Sequence, residues 1–302
     1  MQDKLTPRQS RAWGLCALSV PAAMALAGRG WLWVLTGSAA ASGIVLFLQT
    51  LQRRSGQSLP EQMARAFGRR SGLLLGAAVC LWLLLAASGA AAASQIAFED
   101  DLGPLAPAVP LLLAALASRK GQAAAARVSG VLALCLALLY SIIALASLRH
   151  VQAAWCRPWG SAADAGLSLC LCLMPACLLF LDGDGQTPRP GWSALAAAVL
   201  PGVAALLCSA CLSPAWTAQL PQPLYTLTKS LSVLSVMQRF ELLLSTAQLL
   251  GLVSLLTLLV CAAARTAEVC LGAGWGREEG RSLLSARLRR QLPDAAAADG
   301  GM

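Results

Sequence analysis

Eight times between residues 12 and 264 the chain enters a run of apolar residues long enough, or nearly long enough, to cross a lipid bilayer. About 20 such residues span the hydrocarbon layer, and shorter runs serve where a helix is broken or buried in protein. The runs are 12–28, 31–51, 72–95, 103–118, 128–148, 165–181, 191–213 and 242–264. The fourth, GPLAPAVPLLLAALAS, is the shortest and is rich in proline. Composition agrees: 57% of the 302 residues are hydrophobic, 12% are charged and the mean hydropathy is +0.65. A soluble domain carries about 25% charged residues. A soluble enzyme is excluded, and the expected class is an all-α polytopic membrane protein with about eight transmembrane helices.

The charges set an orientation. All but five of the 23 basic residues fall in alternate segments on the same side as the N-terminus, the exceptions being Arg29, Arg149, Arg157, Lys229 and Arg239. Lys and Arg are retained on the cytoplasmic side, so both termini are expected there. The acidic FEDDLG stretch then falls outside. The division is a transmembrane domain over residues 1–264 and a cytoplasmic basic tail over 265–302. The same asymmetry explains the net charge of +9 without nucleic acid, since no basic face with interleaved aromatics occurs. Trp13, Trp31, Trp33, Trp155, Trp159, Trp192 and Trp216 stand near run ends, where amphipathic rings favour the interface. Two basic segments, LPEQMARAFGRR at 59–70 and GRSLLSARLRRQL at 280–292, read as helices lying on an anionic leaflet.

Chemistry-bearing motifs are few. Nine of the eleven cysteines lie inside apolar runs, where they pack as small apolar side chains. Cys208 and Cys211 have C-x-x-C spacing, but His150 is the one histidine and no second cysteine pair closes a tetrahedral site. No metal, cofactor or catalytic constellation is expected, and no enzymatic activity. The first and sixth runs are both short and both carry an internal proline, Pro21 and Pro175. A mid-helix proline removes a hydrogen bond and crowds a carbonyl. In secondary transporters, interrupted spans at matching places in two inverted halves mark the substrate site. Spans one and six stand five apart, as a five-plus-five repeat requires, so helices 1 and 6 are expected to be broken. Ser19 and Ser168 are the nearest side chains able to donate hydrogen bonds there.

SVMQRFELLLS, residues 235–245, sets two opposite charges at the mouth of the last run. Residues two apart on a helix point to nearly opposite faces, so Arg239 and Glu241 need separate partners or water.

Five stretches together carry a resemblance: KLTPRQ, AGRGWLWVLTGSAAASG, SLPEQMARAFGRRSGLLLG, ASRKGQAAAARVSGVL and LPQPLYTLTKSLSVLSVMQRFELLLSTAQLLG. In order and spacing, over roughly residues 4–262, they resemble the permease-like B subunit of bacterial spore-germination receptors. That family belongs to the amino acid–polyamine–organocation superfamily. The resemblance implies a shortened inverted-repeat, amino-acid-permease-like bundle in the spore inner membrane. It implies a small-molecule germinant, such as an amino acid, bound at the breaks near Ser19, Pro21, Ser168 and Pro175. It implies A-type and C-type germination receptor subunits as partners. Arg239 and Glu241 match an R-x-E/D start to span eight, which implies a structural or interaction role. Relatives have ten spans, whereas this sequence turns polar after its eighth run. The rival expectations are a secondary amino-acid transporter and a membrane scaffold without ligand.

Overall fold

The computed structural model describes residues 6–55, 59–181, 191–230 and 240–270, apart from some side chains within those helices. Among the described residues there is no strand. The helices are α1 (Pro7–Pro21), α2 (Trp31–Ser55), α3 (Leu59–Leu102), α4 (Ala108–Arg119) and α5 (Gln122–Ser147). They continue with α6 (Ala162–Cys172), α7 (Gly191–Leu212), α8 (Pro214–Gln219), α9 (Pro223–Ser230) and α10 (Phe240–Cys270). Each of the eight apolar runs lies largely on helix.

Local chemistry starts these helices where the sequence allows. Thr6 and Gln9 cap α1 reciprocally: the Thr6 N–H donates to Gln9 Oε1 at 3.1 Å and the Gln9 N–H to Thr6 Oγ1 at 3.4 Å. Pro7 occupies the first helical position, where a missing N–H is harmless. At the head of α6 the Ser161 N–H donates to Asp164 Oδ2 at 3.1 Å.

Five helical segments are long and apolar enough to cross a membrane: Trp31–Gln52, Leu74–Ala92, Gln122–His150, Ala162–Phe180 and Leu243–Val269. Ala108–Arg119 and Val199–Leu212 are shorter apolar helices. In α10, 72% of the apolar window is buried, against 22% in α3 and 17% in α5. So α10 is the central post and α3 and α5 lie at the rim. Leu81, Leu84 and Leu85 on α3, Leu112 on α4, and Val128, Val131 and Leu134 on α5 are each more than half exposed. Apolar surface on this scale suits a chain whose solvent is lipid.

The packing divides into two groups. α10 lies along α3 and α4, while α2 lies along α6 and α7. α1 joins them, touching α5, α7 and α10. The largest core cluster joins Trp13 and Ala17 of α1, Leu83 of α3, Ala114 of α4 and Leu252, Leu255, Leu256 and Leu259 of α10.

Two expectations need revision. Residues 59–70 do not form a separate surface helix: their backbone continues unbroken into the third span, making α3 a single helix of 44 residues. Trp13 is not interfacial but fully buried, with its indole N–H donating to the Ser254 carbonyl at 3.1 Å. A packed neighbour supplies the acceptor that the interface would otherwise provide. The last helix runs to Cys270. The segment 280–292 lies outside the described residues.

Candidate functional site

Both short apolar runs are irregular where the prolines predicted a break. α1 ends at Pro21 and the next five residues, Ala22–Leu26, form a π-helical turn. Proline cannot donate to the preceding turn and its ring crowds that turn's carbonyl, and the wider π turn relieves both. The backbone then reverses, with the Arg29 N–H donating to the Leu26 carbonyl at 3.1 Å. α6 ends at Cys172 and continues as a 3₁₀ segment, Met174–Phe180, with Pro175 in its first turn. Here the Ala176 N–H bonds the Leu173 carbonyl at 2.9 Å, three residues back, in place of the α-helical four.

The flanks of the two irregular turns share one apolar cluster. Leu18 and Leu26, on either side of the π turn, pack with Val34 and Ala41 of α2, Cys172 and Leu173 at the end of α6, and Ala205 of α7. Ser168, one turn before the end of α6, is fully buried, and its Oγ donates to the Val34 carbonyl at 2.7 Å. Its hydroxyl therefore ties α6 to α2. The side chains of Ser19, Pro21, Pro175 and Glu241 lie outside the described residues, as does the whole of Arg239. Glu241 falls by its backbone in the first turn of α10. A ligand there would meet mainly apolar side chains.

A second grouping was not foreseen from the sequence. At the Trp31 end of the bundle, Arg29 Nη1 lies 3.5 Å from Asp164 Oδ1, the carboxylate side chain being 9% exposed and the guanidinium side chain 51%. The Trp31 indole donates to the Cys156 carbonyl at 3.2 Å. Gly30 and Gly160 meet backbone to backbone: a Cβ at Gly30 would stand 2.0 Å from the Trp159 carbonyl oxygen, and Gly160 has φ +93°. The turn after the broken α1 is thus fastened to the loop that opens α6. The Ser161-x-x-Asp164 spacing signals a capped helix start. Nothing in the sequence couples Asp164 to Arg29, because their contact depends on how two distant turns pack.

A third polar contact joins α5 to α10, where Ser129 Oγ and Ser254 Oγ lie 2.7 Å apart. The same Ser254 residue accepts the Trp13 indole through its carbonyl, so α1, α5 and α10 are tied at one level.

No family model matches the chain, and no curated protein does.

Proposed function

We propose that this chain is the permease-like membrane subunit of a spore nutrient-germinant receptor, sensing a small molecule such as an amino acid. On this reading it has eight spans in a shortened inverted-repeat bundle, lies in the spore inner membrane and keeps both termini in the cytoplasm. It signals to A-type and C-type subunits and carries no catalysis of its own. The observation that supports the reading best is that two proline-bearing helices both turn irregular and share a cluster at their flanks. Leu18 and Leu26 beside the π turn and Cys172 and Leu173 beside the 3₁₀ turn share one cluster with α2 and α7, while Met24 of the π turn and Met174, Cys177, Leu178 and Phe180 of the 3₁₀ turn pack against the core built by α3, α4 and α10. Ligand held at two interrupted helices can shift them only by binding one arrangement more tightly than another.

One observation favours the scaffold alternative. The cluster is apolar and the Ser168 hydroxyl already has an acceptor in Val34. Binding and uptake assays separate the readings. Purified protein in lipid nanodiscs is titrated with each labelled amino acid, and the same protein in proteoliposomes is tested for uptake under proton or sodium gradients. Saturable binding without uptake is the expected result. Gradient-driven uptake would make the chain a transporter. Stable assembly with A-type and C-type subunits, without binding or uptake, would make it a scaffold.

By their spacing in the sequence, Arg239 and Glu241 are assigned to holding the outer end of span eight against its neighbours, since residues two apart on a helix would need separate partners. Arg239→Ala is expected to lower the amount of assembled protein, by quantitative immunoblot of membranes, and to leave ligand preference unchanged. A changed preference would move both residues into the binding site.

A further inference from the structure

We infer that the bundle opens along the Ser55 end of α2, admitting water and small polar solutes to a passage lined by Ser42 and Gln49. Among the described residues the two ends of α2 are held differently, the Trp31 end by four contacts and the other by the Gln52 amide on the Leu179 carbonyl. At the Trp31 end the turn is clamped by Arg29–Asp164, by the Trp31 indole on Cys156, by the Gly30–Gly160 approach and by Ser168 on Val34. The Trp159 indole N–H is an unpartnered group at that end. Toward the other end, Gln49 is 3% exposed with no partner for its Nε2, and Ser42 is 7% exposed with no partner for its Oγ.

The Ser42 hydroxyl is the more telling. A helical serine or threonine can satisfy itself by bonding back to its own preceding turn. Thr36, Ser38 and Thr50 in the same helix do so, on Trp33, Leu35 and Phe47. Ser42 leaves this bond unmade. Ser42 and Gln49 lie seven residues apart, which places them on one face of α2. The neighbouring Ala41 packs in the cluster that holds Cys172, so the file begins level with the end of α6. It ends at Gln52, whose Nε2 donates at 3.2 Å to the Leu179 carbonyl in the 3₁₀ turn.

Buried donors without partners destabilise the arrangement in which they are found, and leucine at either position would avoid that cost. The cost is relieved if the seam between α2 and its neighbours parts and the amide and hydroxyl meet water. The solutes that fit are those offering acceptors, a carbonyl or carboxylate for the Gln49 amide and either hydrogen-bonding sense for Ser42. With the Trp31 end clamped, parting at the other end is a hinge motion of α2. The inference requires that α2 cross a membrane and does not require the receptor assignment.

The test uses the full chain in proteoliposomes and a charged, membrane-impermeant methanethiosulfonate reagent, with the unsubstituted protein as background for native thiols. Ser42→Cys is expected to gain one modifiable thiol, reached from one side of the membrane only. Adding Gln49→Leu is expected to slow that modification about tenfold by favouring the closed arrangement. Should Ser42→Cys fail to assemble, Val45→Cys, one turn along the same face, replaces it. No modification above background overturns the passage, as does a rate indifferent to Gln49→Leu. A raised melting temperature in Gln49→Leu with an unmodified Ser42→Cys identifies a dry packing defect and also overturns it. Modification that no amino acid slows leaves the passage standing and counts against the germinant reading alone.

Discussion

Gly37 is the point where α2 comes close to α6: a Cβ built there would stand 2.2 Å from the Ala165 carbonyl oxygen and 2.7 Å from Ser168 Oγ. The obstacle is mostly backbone, which cannot swing aside as a side-chain tip can. Between membrane helices, where lipid is as apolar as leucine, close approach through small residues supplies much of the attraction. The approach also lets Ser168 reach the Val34 carbonyl. That carbonyl keeps its own helical hydrogen bond, so the serine adds a second and removal orphans nothing. Gly37→Ala is therefore expected to destabilise the protein by about 2–3 kcal/mol through overpacking. Ser168→Ala is expected to cost only about 0.5–1 kcal/mol. Fluorescence-monitored unfolding in mixed micelles measures both, and a larger loss for Ser168→Ala would mean that the hydroxyl, not the approach, holds the pair.

At the scale of elements, α3 and the two interrupted helices depart furthest from simple spans. The 44 residues of α3 extend about 66 Å at 1.5 Å per residue, roughly twice the hydrocarbon thickness. Its apolar window is Leu74–Ala92, so the helix overruns that window at both ends. The sequence Arg69-Arg70-Ser71-Gly72 suggests a boundary by composition, yet an α-helix needs neither apolarity nor a change of direction where it leaves lipid. Spin labels at positions 64 and 92 should lie about 42 Å apart in pulsed EPR if the helix is continuous. A markedly shorter distance would restore a separate surface helix hinged near Gly72. In α1 and α6 the departure is the reverse, because a proline in each prevents a regular helix and the neighbouring turns take π and 3₁₀ geometry.

At the scale of the molecule, the buried post α10 and the lipid-exposed leucines and valines of α3, α4 and α5 are two sides of one partition. Every hydroxyl in a dry core needs an acceptor nearby, and the helix itself provides one: Ser147, Thr257 and Thr266, each nearly fully buried, donate to the carbonyl four residues back. That is how these helices, the central α10 with Thr257 and Thr266 among them, carry polar side chains without disrupting their packing. The charge bias predicts the orientation. Reporter fusions at Gly301 are expected to be active in the cytoplasm, and an epitope inserted at Glu99–Asp101 is expected to be reached from outside. A C-terminal reporter active only outside would reverse the topology, and an epitope reached from neither side would mean that α3 ends within the bundle.

The sequence by itself determined that the chain is helical, where its apolar helices lie and where two of them are interrupted. These properties follow from local terms: runs of leucine and alanine, prolines without an N–H, and a bilayer that forbids unpaired backbone. It did not determine which faces meet. The salt bridge Arg29–Asp164, the burial of Trp13 against Ser254, the Gly30–Gly160 contact and the committed hydroxyl of Ser168 all join residues more than a hundred positions apart. Nearly every face of a helix this apolar is hydrophobic, so periodicity carries no instruction about the face that turns inward. Only the tertiary packing, through small residues that permit approach and polar groups that must find partners, decided that α10 is the core, that residues beside the two interrupted turns share one cluster, and that Ser42 Oγ and Gln49 Nε2 on one face of α2 are left unpaired.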